Sequence, residues 1–79
     1  MMIIPFQLKE KDDVVKLNKI ATSYSFDIWV HTDDQMFDAK TILALYTLPF
    51  NEELKLVIDD DVNSKSLIEE MRIFVKRRK

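Results

Sequence analysis

The side chains that could do chemistry in this chain are its one histidine, a few groups of acids and a threonine placed before an apolar run. A histidine can act as a nucleophile or as an acid–base group near neutral pH. His31 lies near the end of a predicted strand, with no arginine beside it and no helix start to stabilise a transferred anion. We therefore interpret His31 as an ordinary histidine on an open sheet face, with a displaced nucleophile as the alternative.

The acids could hold a metal ion or work as paired catalytic carboxylates. Asp59–Asp61 are consecutive, without the spacing or turn glycine of a calcium loop, so a solvated loop before a helix explains them better. Glu10, Asp12 and Asp13 are interpreted as the charged first turn of a helix, with a catalytic carboxylate pair as the alternative. The chain has no cysteine, which excludes thiolate zinc clusters. We predict no metal and no cofactor.

Thr41 precedes the apolar run ILAL, and threonine is a favoured residue at the N-cap of a helix. The pattern predicts a short helix over Thr41–Thr47, ended before Pro49 because the residue before a proline disfavours helical geometry. We predict that the Thr41 hydroxyl accepts a capping hydrogen bond. A hydroxyl at this place is also suited to a regulatory phosphate, whose charge meets the positive end of the helix.

Length and composition indicate one domain spanning residues 1–79. The absence of glycine excludes glycine-rich phosphate loops and requires that turns use Asn, Asp, Ser, Thr or Pro. A net charge of −2 argues against a nucleic-acid binder, and the basic tail Lys76–Lys79 is interpreted as a complement to a C-terminal helix, with a local anion patch as the alternative. The apolar N-terminal run is too short to span a membrane, so we expect a cytoplasmic protein with no membrane partner.

Hydrophobic periodicity predicts four strands and three helices that must place these residues. The predicted order is β-α-β-β-α-β-α, with segments at Ile4–Leu8, Asp12–Ser23, Phe26–His31, Gln35–Ala39, Thr41–Thr47, Leu54–Ile58 and Leu67–Val75. In the last helix Ile68, Met71 and Val75 fall on the apolar stripe, whereas Ile73 lies off it. Each strand has one apolar face for the helices to cover, which indicates an α+β fold with a four-stranded antiparallel sheet and helices on one face, an open-faced two-layer sandwich.

The uncovered sheet face is predicted to carry Ile3, Pro5, Trp29, His31, Met36 and Val57. Trp29 with Ile3, Met36 and Val57 would form a contiguous apolar patch if the strands align them. Patches of this kind mark partner or oligomer interfaces, although scattered exposed apolar residues are also normal. We therefore predict a homodimer or a contact with a partner protein through Trp29.

The segment DAKTILALYTL, Asp38 to Leu48, resembles the Asn-Ala-Lys-Ser-Ile-hydrophobe segment of HPr, the small phosphocarrier of bacterial sugar phosphotransferase systems. The order of elements and their lengths are also similar to HPr over the whole chain. The resemblance implies the HPr-like fold. In that family a histidine at the start of the first helix carries the phosphoryl group, followed by Ala, Arg and Pro.

Aligned with HPr, this chain has Glu10 at the histidine position and Lys11, Asp12 and Asp13 at the next three. Glu10 cannot form the phosphoramidate of a histidine, and an acid at the arginine position repels phosphate. We therefore expect a divergent member that is not an enzyme and has lost phosphocarrier activity.

The resemblance also places Thr41 where many HPr proteins carry a regulatory serine, and Leu43, Tyr46 and Thr47 on the surface that meets partners. The expected function is a non-catalytic binding or regulatory module in a bacterial cytoplasm, related to the phosphotransferase system and acting on a protein partner. Two alternatives are a regulatory homologue phosphorylated at Thr41 and a structural interaction protein on the HPr scaffold.

Overall fold

The computed structural model describes residues 1–75, and the predicted tail Lys76–Lys79 lies outside them. Residues 1–75 form four strands and three helices in the predicted order, followed by a 3-10 turn at Arg72–Phe74. The elements are β1 (Met2–Phe6), α1 (Lys11–Thr22), β2 (Trp29–His31), β3 (Met36–Asp38), α2 (Ile42–Leu45), β4 (Leu54–Ile58) and α3 (Lys65–Met71).

The four strands form one antiparallel sheet in the order β1-β4-β2-β3. Leu56 lies at its centre, opposite Ile4 on one side and Val30 on the other. Pro5 lies in β1, an edge strand, as expected for a residue with no N–H to donate to the ladder.

One face of the sheet is covered by the helices. Leu56 from the sheet, Leu17 from α1 and Leu67 from α3 are almost fully buried and belong to a single apolar cluster between the two layers. The predicted α+β, two-layer fold with helices on one face is therefore confirmed.

The middle strands are shorter than their apolar alternation predicts. β2 starts at Trp29 rather than Phe26, and β3 covers only Met36–Asp38. Phe26 instead packs on the Tyr24 ring, with centroids 5.2 Å apart. Alternation records which side chains are buried, and a chain can bury alternate residues without forming ladder hydrogen bonds.

The last helix also differs from its predicted stripe. α3 ends at Met71 and tightens into the 3-10 turn, which changes the phase of the following residues. Val75 is therefore 38% exposed, and Ile68 is 37% exposed because this short helix faces the core through Leu67 and Met71. The prediction that Ile68 and Val75 are core residues is wrong, while Ile73 is exposed as expected.

A hydrogen bond from the Tyr24 hydroxyl to the Glu70 carboxylate ties the end of α1 to α3. Burial, this hydrogen bond and the negative charge of Glu70 raise the pKa of Tyr24 to about 12. Since the raised pKa belongs to the folded state, the stabilisation is complete below the ordinary pKa of 10 and is lost as the pH rises toward 12. We expect Tyr24→Phe to lower the free energy of unfolding by about 0.5–1 kcal/mol at neutral pH.

Urea unfolding between neutral pH and about pH 11 tests this bond. The wild type should lose stability above pH 10, and Tyr24→Phe should lose less. Tyr46→Phe is the matched control, because Tyr46 is 47% exposed and the tyrosine that donates to Glu70 is Tyr24. Equal slopes of stability against pH for the wild type and Tyr24→Phe would contradict the assignment.

Candidate functional site

The start of α1 is held in place by the two chain segments beside it. Glu10 is the N-cap residue, with extended backbone angles of φ −154° and ψ 171°. Just before it, the buried Leu8 accepts a 2.7 Å hydrogen bond at its carbonyl from the Asn51 N–H, and Gln7 donates to the Phe74 carbonyl at 2.9 Å. The position of Glu10 is therefore determined by the turn before β4 and by the end of the last helix.

The first turn of α1 is acidic and is organised by Asp13. The Asp13 carboxylate accepts a 2.8 Å hydrogen bond from the Lys9 N–H, and its own N–H donates to the Glu10 carbonyl at 3.0 Å. The side chains of Glu10 and Asp12 are exposed, and Glu10 makes no capping hydrogen bond. Acids at this end of a helix interact favourably with its dipole and disfavour the approach of an anion. The geometry agrees with the interpretation of these acids as a charged first turn.

Thr41 takes the N-cap position of α2, but its hydroxyl does not cap the helix. The Thr41 carbonyl accepts from the N–H groups of Ala44 and Leu45, at 3.1 and 3.3 Å, while its side chain makes no capping hydrogen bond. The preceding turn is ordered by Asp38, whose carboxylate accepts from the Lys40 N–H at 2.9 Å. The predicted cap by the Thr41 hydroxyl is therefore wrong: Thr41 is exposed, and the Asp38 carboxylate instead supplies the side-chain hydrogen bond in the turn before α2.

α2 is also shorter than predicted, covering Ile42–Leu45 rather than Thr41–Thr47. Its chain continues as a turn in which the exposed Thr47 donates its hydroxyl to the Ala44 carbonyl at 2.6 Å. That hydrogen bond satisfies a carbonyl at the end of the helix, which stops four residues before Pro49.

Four exposed side chains in and after α2, three of them apolar, are defined here as the α2 surface: Leu43, Tyr46, Thr47 and Phe50. Leu43 is 77% exposed, Tyr46 47% and Phe50 39%. Leu43, Tyr46 and Thr47 were predicted from the sequence as a partner-binding surface, whereas Phe50 was not. The available signal was its place beside Pro49 in a turn, where an aromatic residue has no helix or strand to bury it.

Asn51 connects the α2 surface to the start of α1. It has φ 62°, the left-handed conformation that asparagine tolerates best among residues other than glycine, and its N–H is the donor to Leu8. Asn18 of α1 adds a second link by donating to the Ala39 carbonyl, just before α2, at 3.1 Å. Glu10, Thr41 and the α2 surface therefore belong to the helical side of the molecule.

Trp29 and His31 lie on the opposite side of the sheet. Trp29 is half-buried beside Val57, and His31 lies between Lys55 and Met36 in the strand register. Val57 was predicted as part of the exposed patch, but it is only 6% exposed because Ile3 and Trp29 flank it. The sheet thus separates His31 from Glu10 and from the start of every helix.

The acids of the loop after β4 remain exposed, and the carboxylate of Asp60 pairs with the amino group of Met1. Within residues 1–75, no group of three or more His, Cys, Asp or Glu side chains is arranged to hold a metal ion. Within the same range, the helices are all too short or too polar to cross a membrane.

The fold is similar to a known one. The crystal structure of HPr-C-His from Thermoanaerobacter tengcongensis superimposes with a TM-score of 0.72 at 19% sequence identity, covering 90% of this chain and 86% of that one. The fold is therefore HPr-like. No protein-family model and no curated protein matches the chain.

Proposed function

We propose that this chain is a divergent, non-catalytic HPr-related module of a bacterial cytoplasm, which binds a partner protein through the α2 surface. The observation that carries the proposal is the exposed apolar side chain of Leu43, accompanied by Tyr46 and Phe50. Aromatic residues on an ordered surface supply contact area at little cost in conformational entropy.

The charge around α1 supports the loss of phosphocarrier activity. A phosphocarrier needs a nucleophile that accepts the phosphoryl group and donors that stabilise its charge. Here the N-cap is Glu10, and the first turn carries Asp12 and Asp13, with Asp13 already engaged by Lys9. A phosphoryl donor at the start of α1 would meet the carboxylates of Glu10 and Asp12 instead of a guanidinium. His31 lies on the other side of the sheet.

The exposed hydroxyl of Thr41 favours a second candidate, a regulatory module phosphorylated at that residue. Because Thr41 makes no capping hydrogen bond, a kinase could modify it without breaking a contact that holds α2. Lys40 directly precedes it and supplies a positive charge for the phosphate. Asp12 takes the place of the arginine that partners the phosphate in HPr, which favours the unmodified binding module.

Phosphoryl labelling tests both candidates. The chain is incubated with the phosphotransferase general enzyme and phosphoenolpyruvate, and separately with the HPr kinase and ATP. We expect no label from the first reaction, because no imidazole lies at the start of α1. Genuine HPr labelled in parallel is the positive control, and Thr41→Val is the matched variant for the kinase reaction.

The stability of any label identifies its site. Acid-labile phosphate lost in a His31→Gln variant would overturn the loss of carrier chemistry. Hydroxylamine-labile phosphate lost in Glu10→Gln would do the same, since it would be an acyl phosphate on that carboxylate. Acid-stable phosphate absent from Thr41→Val would establish the regulatory candidate instead of the unmodified binding module.

A further inference from the structure

The uncovered face of the sheet carries two rows of side chains that the strand register defines. The central row runs Ile3, Val57, Trp29 and Asp38 across the four strands, and the next row runs Pro5, Lys55, His31 and Met36. Ile3 is 50% exposed and Met36 58%. A shallow cavity of about 260 Å³ lies beside Trp29, with Asp27 and Asp59 in its wall.

Asp27 and Asp59 lie on one side of the central row and Lys55 and His31 on the other, while the Met1 amino group lines the cavity with the acids and Asp38 lies in the row itself. Asp27 lies two residues before Trp29 and Asp59 two residues after Val57, just outside the antiparallel strands β2 and β4, and both acids line the cavity beside Trp29. On the other side of the row, His31 lies directly opposite Lys55. Within residues 1–75, none of these four side chains makes an ion pair, and the Met1 amino group beside the same cavity pairs with Asp60.

The pair of neighbouring acids is unfavourable in an isolated chain, and the pattern is self-complementary between two chains. Like charges on neighbouring strands repel each other. Lys55 in β4 and Asp59 just after it are four residues apart, about 13 Å in an extended chain, and within residues 1–75 they do not pair. A second copy can pack on this face with its strands running in the opposite direction. Asp27 and Asp59 of each chain would then meet His31 and Lys55 of the other.

We propose that this face binds a second copy of the chain in an isologous dimer. The two-fold axis lies in the interface, across the strands and along the central row, so that Trp29 contacts the partner's Trp29. Asp38, at the end of the row in the edge strand β3, also faces its own copy, and this like-charge contact at the rim opposes association. Asp59 then faces the partner's Lys55, and Asp27 faces the partner's His31. An axis along the strands would bring acid to acid, so the charges select the first arrangement.

The size of the face indicates how strong the dimer is. Four strands about 4.8 Å apart and five residues about 3.3 Å apart give a face of about 19 by 17 Å. This is well below the area of about 800 Å² per partner in a standard interface, so we expect concentration-dependent, reversible association. The helical side, with the α2 surface, stays outside the interface.

Charge exchange tests the proposal. Sedimentation equilibrium measures the dissociation constant. The chain is concentrated up to about 1 mM, where half of the chains are dimeric if the dissociation constant is about 1 mM. We expect Lys55→Glu and Asp59→Lys each to weaken association at least about tenfold by placing like charges together. The double variant K55E/D59K should return to within about threefold of wild type, because each exchanged charge again meets its opposite.

Two matched controls locate the interface. Lys11→Glu makes the same charge change as Lys55→Glu on the exposed start of α1, and it should leave association unchanged. Trp29→Ala should weaken dimerisation, whereas Leu43→Ala on the α2 surface should not. Circular dichroism establishes that each variant is folded, and the emission of the one tryptophan should shift to the blue as the chain is concentrated.

Three results would overturn the dimer. One is a chain that stays monomeric at about 1 mM, which would mean that the sheet face binds something other than a second copy of the chain. Another is a folded K55E/D59K variant that associates no better than either single variant. The third is association that Leu43→Ala abolishes and Trp29→Ala does not affect.

Discussion

Replacing Leu56 with alanine is expected to remove most of the free energy of unfolding of this domain. Leu56 is fully buried in the central strand β4, opposite Ile4 and Val30, with the helices above it. A leucine-to-alanine change at such a site costs about 2–5 kcal/mol, from the lost burial and the cavity left behind. Small domains have a total free energy of unfolding of about 5–15 kcal/mol, and one of this size lies near the lower limit.

Thermal and urea unfolding measure this effect. For a domain of this length the loss corresponds to a fall in Tm of about 10–30 °C. Leu43→Ala makes the same chemical change at a side chain that is 77% exposed, and it should alter stability by less than about 0.5 kcal/mol. Similar losses at both positions would contradict the layered core described above.

Placing a histidine at the start of α1 is expected to restore labelling only when the neighbouring charge is also changed. In Glu10→His the imidazole occupies the N-cap, but Asp12 still repels the incoming phosphoryl group. Adding Asp12→Arg changes the local charge by two units at contact distance. Even at the dielectric constant of water this is worth about 2 kcal/mol, or about 30-fold in rate.

The measurement is the rate of acid-labile labelling by the phosphotransferase general enzyme. E10H/D12R should be labelled at least about 30-fold faster than Glu10→His. E10Q/D12R carries the same arginine without a nucleophile and should take up no label. Equal rates for Glu10→His and E10H/D12R would contradict the electrostatic account, and no label on any variant would contradict the relation to phosphocarriers.

The two proposals together describe a bivalent protein. The dimer uses the open face of the sheet, and the α2 surface lies on the helical side, so a dimer would present two copies of it outward. Two linked sites can bind a partner with repeated epitopes more tightly than one site alone. Variants at Lys55 and at Leu43 separate these functions, because they change opposite sides of the sheet.

Local patterns predicted the order of elements and the main core residues. The helical period of Val14, Leu17 and Ala21 and the alternation of Leu54, Leu56 and Ile58 correctly identified the buried faces. Periodicity is a local property of the chain, so it survives folding wherever an element is regular. It failed at Ile68 and Val75, where α3 is short and tightens into a 3-10 turn.

The sequence by itself determined which groups are present: an acidic start to α1, a threonine before α2, apolar residues in the α2 turn and a tryptophan on a half-apolar strand. Only the tertiary structure decided their surroundings. Asp38, rather than Thr41, orders the turn before α2, the strand register places His31 opposite Lys55, and Asp27 and Asp59 line one cavity. The reason is physical: hydrogen-bond partners and cross-strand neighbours come from residues distant in the chain, and no local pattern records which of them will meet.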